Sequence, residues 1–127
     1  MKTSALILVS ATDYGTDNGT YDGSSTSFIG TEQKAAGYYS SAGTQQTVAI
    51  FTEDLLATIK IQATVDTTPT ETSWFTVLTF EGDGSSVNDT TGKYWNEVHN
   101  ITGKFTYVRA SISDFTQGVI NKVTLSY

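Results

Sequence analysis

The sequence predicts an all-β fold, a single antiparallel β-sandwich that is jelly-roll-like and has about eight or nine short strands within residues 1–127. Thr, Ser, Gly, Tyr and Phe are abundant and charged residues are 16% of the chain, a balance that suits pleated surfaces and turns. Apolar and polar residues alternate with a period of two in several segments. No run of about a dozen residues has helical periodicity.

Each predicted strand is an apolar or alternating segment bounded by turn-forming residues. Residues 56–66 show the pattern best, because Ile59, Ile61, Ala63 and Val65 alternate with polar side chains, as in a sheet with one dry face. The remaining predicted strands are 3–11, 26–31, 35–41, 45–52, 74–80, 93–99, 104–113 and 118–127. Gly-, Asp- and Asn-rich segments such as TDYGTDNGTYDGSS connect them.

Composition excludes several classes of partner and site. The chain has no cysteine, so it has neither disulfides nor a thiolate metal site. Seven basic residues are scattered through a chain of formal charge −6, which disfavours nucleic acid as a partner. No stretch is long enough to span a bilayer, and the apolar run 5–9 is shorter than the core of a signal peptide. We therefore expect neither a membrane partner nor a secretory leader.

Arg109 is a charged residue within the apolar segment KFTYVRASI. With a period of two, Val108 and Ile112 belong to the core face, while Tyr107 and Arg109 belong to the outer face. The guanidinium can then stack on an aromatic ring and pair with an acid on the sheet surface. It can also contact another subunit.

No group of residues predicts catalysis. Glu53-Asp54 and Glu81-x-Asp83 are close in sequence, but adjacent acids in turns are common in acidic proteins. His99, the single histidine, has no partner pattern for a catalytic triad. We expect a protein that is not an enzyme and has no catalytic, cofactor or required metal site.

Calcium is the one metal that the loops could bind, since it prefers carboxylate and carbonyl oxygens on flexible segments. Neither acidic loop has the EF-hand spacing, and Asp, Asn and Gly are also ordinary turn formers. The candidate ligands are Asp13, Asp17 and Asp22 in the first loop, or Glu81, Asp83 and Asp89 in a later one.

Two tryptophans, Trp74 and Trp95, each follow a polar loop. Their rings could stack on pyranose sugars or be buried in the sandwich. They are the candidate glycan contacts in this sequence.

The segments ATIKIQATVDTTPTETSWFTV (57–77) and NITGKFTYVRASISDFTQGVINKVTLSY (100–127) resemble strands of small β-sandwich virion proteins of tailed phages, especially marine ones. The same layout resembles discoidin-like and galactose-binding-like jelly rolls, although no galactose-type site matches. The resemblance implies a capsid decoration protein or a tail, connector or fibre component, assembled in the host cytoplasm. It implies partners among virion proteins and a homo-oligomer, such as a trimer or ring. A carbohydrate-binding module for adsorption to host glycans is the alternative.

For the assembly function, outer-face aromatic residues and a charged pair are the expected contacts, because such side chains are enriched in interfaces. The predicted interface residues are Tyr38, Tyr39, Tyr107, Arg109 and Tyr127.

Overall fold

The structure, a computed structural model, describes residues 5–39, 43–83 and 94–127. These residues form eight antiparallel strands and one short helix, which confirms the predicted all-β class. The elements are β1 (Leu6–Val9), β2 (Thr12–Asp13), β3 (Phe28–Ile29), β4 (Gln33–Lys34), α1 (Ala36–Tyr39), β5 (Gln45–Thr64), β6 (Phe75–Asp83), β7 (Tyr94–Thr102) and β8 (Tyr107–Ser126).

The strands β5 and β8 are each 20 residues long and bend in the middle. The sequence predicts two short strands in place of each, so this part of the prediction is wrong. Turn-forming residues are present at the bends, and Asp54, Asp114 and Gly118 have φ angles of 47°, 54° and 91°. The pairing of β5 with β8 nevertheless continues on both sides of the bends, with shifts of register. The turn signals therefore produce bends within paired strands rather than hairpins.

The bends fold one hydrogen-bonded sheet into two layers. The first layer pairs β1 and β2 with residues 119–126 of β8, then residues 45–53 of β5, then β7. The second layer pairs β3 and β4 with residues 107–113 of β8, then residues 56–64 of β5, then β6. Each layer thus places N-terminal strands beside the last strand.

Apolar side chains from both layers form one core cluster. Ile50 of the first layer and Ile59 of the second are completely buried. On one side of the sandwich, the rings of Phe80 on β6 and Trp95 on β7 lie 5.2 Å apart. On this side, contacts between side chains, rather than backbone hydrogen bonds, hold the two layers together.

The sandwich has two different ends. We call the end that contains the bends of β5 and β8 the bend end. The opposite end contains α1 and both termini of β8, and we call it the helix end. The helix contradicts the strand predicted over 35–41 at residues 36–39, which form a single helical turn after β4. Residues 40 and 41 lie outside the described residues.

Val65 also departs from the predicted alternation, since β5 ends at Thr64 and the Val65 side chain is exposed. Among the described residues, no helix is long and apolar enough to cross a membrane.

Candidate functional site

Four of the five predicted interface residues meet at the helix end. Tyr107 begins β8 and Tyr127 follows its last residue. Because β8 doubles back at its bend, these two residues return to the same end of the molecule. Helix α1 adds Tyr38 and Tyr39. We call these four residues the tyrosine cluster.

The rings of the cluster are in contact with one another. Tyr38 lies edge-on to Tyr39 and to Tyr107, with ring centroids 5.3 and 5.4 Å apart. Tyr39 and Tyr127 are 6.3 Å apart, and the Tyr127 hydroxyl donates a hydrogen bond to the carbonyl of Lys34 at 2.9 Å. Tyr39 is nevertheless 66% exposed and Tyr38 is 40% exposed. The rings are positioned by their neighbours but remain open to a partner.

Lys34 on β4 supplies the positive charge of this surface. Its Nζ lies 4.5 Å from the centre of the Tyr38 ring and 6.0 Å from that of Tyr39. Such cation–π contacts contribute about 0.5–1 kcal/mol at exposed positions. They hold the ammonium group beside the rings.

A groove of about 900 Å³ opens beside the cluster. This volume lies in the range of small-ligand sites. No local sequence signal marks the polar side chains of the groove, because Glu32 precedes β4, Gln33 and Lys34 form a strand of two residues, and Gln45 is the first residue of β5. The lining residues are Leu6, Glu32, Gln33, Lys34, Ala36, Tyr39, Gly43, Gln45, Tyr107 and Tyr127.

The hydroxyl groups of Tyr107 and Tyr127 stay protonated at neutral pH. Partial desolvation raises the pKa of Tyr107 above its usual value of 10.0, and the neighbouring Tyr38 raises it further. Desolvation likewise raises the pKa of Tyr127, followed by the effect of Tyr39. Both groups can therefore donate hydrogen bonds and carry no charge.

Arg109, the fifth predicted interface residue, projects from the outer face of the second layer but is largely covered. Its Cζ lies 4.3 Å from the centre of the Trp74 ring, and its Nε donates a hydrogen bond to Oε1 of Gln62 at 2.8 Å. Its ring partner is thus Trp74, from the loop before β6, rather than Tyr107. The side chain is only 8% exposed, so Trp74 covers a position that periodicity alone would leave wet.

The two tryptophans do not form a joint site. Trp74 holds the Arg109 guanidinium in the second layer, whereas Trp95 packs on Phe80 at the edge of the core. The Trp95 Nε1 donates a hydrogen bond to Glu97 at 2.9 Å. The other carboxylate oxygen of Glu97 lies 2.8 Å from Nε2 of His99. Each tryptophan therefore already makes a contact inside the chain.

Among the predicted calcium ligands, Asp13 is on β2, Asp17 and Asp22 lie between β2 and β3, and Glu81 and Asp83 are on β6. Asp22 accepts hydrogen bonds from the backbone N–H groups of Ser24 and Ser25 and from the Ser25 hydroxyl. These bonds lower the pKa of Asp22 to about 2, and the bond from the Ser25 hydroxyl contributes most. Within residues 5–39, 43–83 and 94–127, no three His, Asp or Glu side chains form a group that could hold a metal ion. Asp89 lies outside the described residues.

No protein-family model, curated protein or solved structure matches this chain. The resemblance to tailed-phage virion proteins therefore stays a prediction.

Proposed function

We propose that this protein is a non-enzymatic structural component of a tailed-phage virion and acts through contacts between subunits. The capsid surface and the tail, connector or fibre are its proposed locations, after assembly in the host cytoplasm. The observation that carries the proposal is the tyrosine cluster, four rings in mutual contact that remain open at one end of the sandwich.

Tyrosine suits such a contact for a physical reason. Its ring provides a large apolar surface with few rotatable bonds, and its hydroxyl can still bond to polar groups. In this cluster the neighbouring rings and Lys34 already restrict the side chains. Binding would therefore cost little conformational entropy.

The polar groups of the groove suit a binding surface, because tyrosine hydroxyls, Lys34 and Glu32 can form hydrogen bonds and ion pairs with a partner.

The proposal is tested by immunogold labelling of virions from the source phage with antibodies raised against the purified chain. Regular labelling at one site of the particle is the expected result, and unlabelled virions would contradict the proposal. A second arm compares the amounts of Tyr39→Ser and Val98→Ser that are incorporated into virions. Val98 is a matched position on β7, because its side chain is 65% exposed and that of Tyr39 is 66% exposed. Only Tyr39→Ser should be lost from the particle.

A carbohydrate-binding function for host adsorption is the second candidate, and the volume of the groove favours it. A glycan array with the wild type, Tyr39→Ala, Trp74→Ala and Trp95→Ala tests this function. Saturable binding that Tyr39→Ala abolishes would place glycans in the groove. Loss with Trp74→Ala or Trp95→Ala would instead support the tryptophans.

A further inference from the structure

We propose that strand β7 pairs antiparallel with β7 of a second copy of this chain, so that the first layers of two subunits form one continuous sheet. The inference rests on the proposed assembly function and names a second copy as one of its partners. The two-fold axis of the pair passes through Val98, and the register brings Glu97 opposite His99 of the partner subunit.

Strand β7 is an edge strand of the first layer. Among the strands of the described residues, it pairs with β5 alone, and that pairing has no shift of register. Val98, at the centre of its nine residues, is exposed. The strand contains neither lysine nor proline, which proteins commonly place on edge strands to prevent pairing. A long regular edge of this kind is a template for another strand.

The backbone of β7 directs hydrogen-bonding groups away from β5 at Val98. The N–H of Gly103, directly after β7, donates to the carbonyl of Thr44 at 2.7 Å. The carbonyl of Trp95 accepts a hydrogen bond from the Thr52 hydroxyl on β5 at 2.6 Å. In an antiparallel ladder these directions alternate from residue to residue, so the odd-numbered residues of β7 bond toward β5. Val98 can therefore exchange backbone hydrogen bonds with Val98 of the partner subunit.

The side chains of β7 are complementary to themselves about Val98. Glu97 and His99 lie one residue to either side of it, on the core side of the strand. Antiparallel pairing places each Glu97 carboxylate opposite a His99 imidazole, which can donate a hydrogen bond to it. The next pairs match an apolar residue with an apolar residue and an amide with an amide. These pairs are Trp95 with Ile101 and Asn96 with Asn100.

Glu97 and His99 also disfavour the neighbouring registers. An axis through Glu97 would place two carboxylates directly opposite each other, and like charges at such positions are destabilising. An axis through His99 would place the Glu97 carboxylate opposite the apolar side chain of Ile101. Charged residues on an edge strand thus oppose pairing in general, but here they permit the register centred on Val98.

The core is partly exposed on the side of the sandwich where β7 lies. Phe75 on β6 pairs with Ala63, which is completely buried, so its ring belongs to the core side of the strand. The Phe75 side chain is nevertheless 61% exposed. On β7, Glu97 and His99 contact each other at 2.8 Å and are also partly exposed. A second copy beside β7 would lie on this open side, where apolar burial adds to the backbone hydrogen bonds.

A contact that uses the same strand of both subunits is isologous, and it therefore closes at two subunits. In the first layer, β5 separates β7 from β8. Tyr107 and Tyr127, at the two ends of β8, are consequently not used by the pair. The tyrosine cluster remains available on each subunit for a further contact of the assembly.

The first experiment is sedimentation velocity on the full chain, in a concentration series up to about 1 mM. We expect the wild type to form dimers. Val98→Pro removes an N–H that points away from β5, a position where an edge strand tolerates proline. Its dimerisation midpoint should rise about thirtyfold or more, because proline cannot donate across the pair.

Val98→Ser is the matched control at the same position. It shortens the exposed side chain but keeps the N–H group, so its midpoint should change about fivefold or less. Urea denaturation of dilute samples compares the folding of the two variants.

The second experiment tests the register with His99→Glu and Glu97→Lys. Each variant alone places two acidic or two basic groups opposite each other, so each should dimerise about tenfold more weakly than the wild type. In an equimolar mixture every carboxylate again faces a basic group, and heterodimers should form near the wild-type midpoint. Both variants lose the contact between positions 97 and 99 within the chain, so recovery on mixing reports the pairing between chains.

A wild type that stays monomeric throughout the series would overturn the inference. So would a Val98→Pro variant that dimerises as the wild type does, or a mixture that associates no better than its components. If Val98→Pro does not fold, the mixture decides. Labelled virions together with a monomeric chain would leave the proposed function intact, whereas unlabelled virions together with a dimeric chain would contradict the function and not the pair.

Discussion

The two ends of the sandwich each contain a cluster of aromatic rings, but the clusters differ in exposure. At the bend end, Phe115 contacts Tyr21 and Phe28 with ring centroids 5.2 and 6.1 Å apart, and all three rings are buried. At the helix end, Tyr38 and Tyr39 are exposed. The same residue types therefore stabilise the fold at one end and remain available for binding at the other.

The cause of this difference is the chain that covers each end. The segment between β2 and β3 folds over the bend and is tied to it by hydrogen bonds from Tyr14 N to the Gly118 carbonyl and from Phe115 N to the Thr26 carbonyl. At the helix end, the part of the chain that the structure describes between β4 and β5 includes a single helical turn, and it leaves Tyr38 and Tyr39 exposed. Both ends are rich in aromatic rings, so burial is what distinguishes the structural cluster at the bend end from the candidate contact surface at the helix end.

Replacement of Phe115 should produce the largest loss of stability. Phe115→Ala removes a completely buried ring that contacts three others. We expect the free energy of unfolding to fall by about 3–5 kcal/mol, measured by urea denaturation. A loss below about 1 kcal/mol would show that the bend-end cluster is not a structural core.

Gly118→Ala should have the next largest effect, because a Cβ at φ 91° would lie 2.4 Å from the Asp54 carbonyl oxygen. We expect a loss of about 2–3 kcal/mol, since strain and overlap add. Gly15→Ala is the matched control, with φ 89° and nothing within 4 Å of the added Cβ. Its loss should be about 1 kcal/mol, and equal losses in the two variants would argue against close contact between the bends.

A smaller, pH-dependent effect is expected for Asp22→Asn in the loop that covers the bend end. The pKa of Asp22 is lowered from 3.8 to about 2 in the folded chain. Its ionised form therefore stabilises the folded state at pH values above 3.8, and this contribution is lost as the pH falls toward 2. The Tm of the wild type should exceed that of the variant at pH 7, with the difference disappearing near pH 2. A difference that does not change with pH would contradict this cause.

Tyr39→Ala should have the smallest effect on stability. The side chain is 66% exposed, and exposed substitutions usually change the free energy of unfolding by less than about 0.5 kcal/mol. Urea denaturation should therefore give nearly the wild-type midpoint. A loss of more than about 2 kcal/mol would mean that the tyrosine cluster belongs to the core.

The sequence and the structure agree where local periodicity controls burial. Ile59, Ile61 and Ala63 are completely buried, as are Val108 and Ala110. The predicted strands are wrong in two kinds of segment. Turn residues inside β5 and β8 predict strand ends but lie at bends of continuous strands, and the aromatic pair Tyr38–Tyr39 predicts a strand but belongs to a helical turn.

The candidate site was predictable only in part for a related reason. Tyr38 and Tyr39 are adjacent in sequence, but Tyr107 and Tyr127 are 20 positions apart and meet because β8 bends. The surface around Arg109 likewise combines residues from β4, β5 and β8. Such neighbours depend on strand register, which short-range patterns do not specify.

The sequence by itself determined the fold class and the residues that face the core, because alternating side chains point to opposite sides of any extended strand. Tertiary structure alone decided that Arg109 would be covered. Its period-two position is on the outer face, and a loop distant in sequence brings Trp74 over it. Covering one face of a sheet depends on where other segments fold, and no local repeat encodes that.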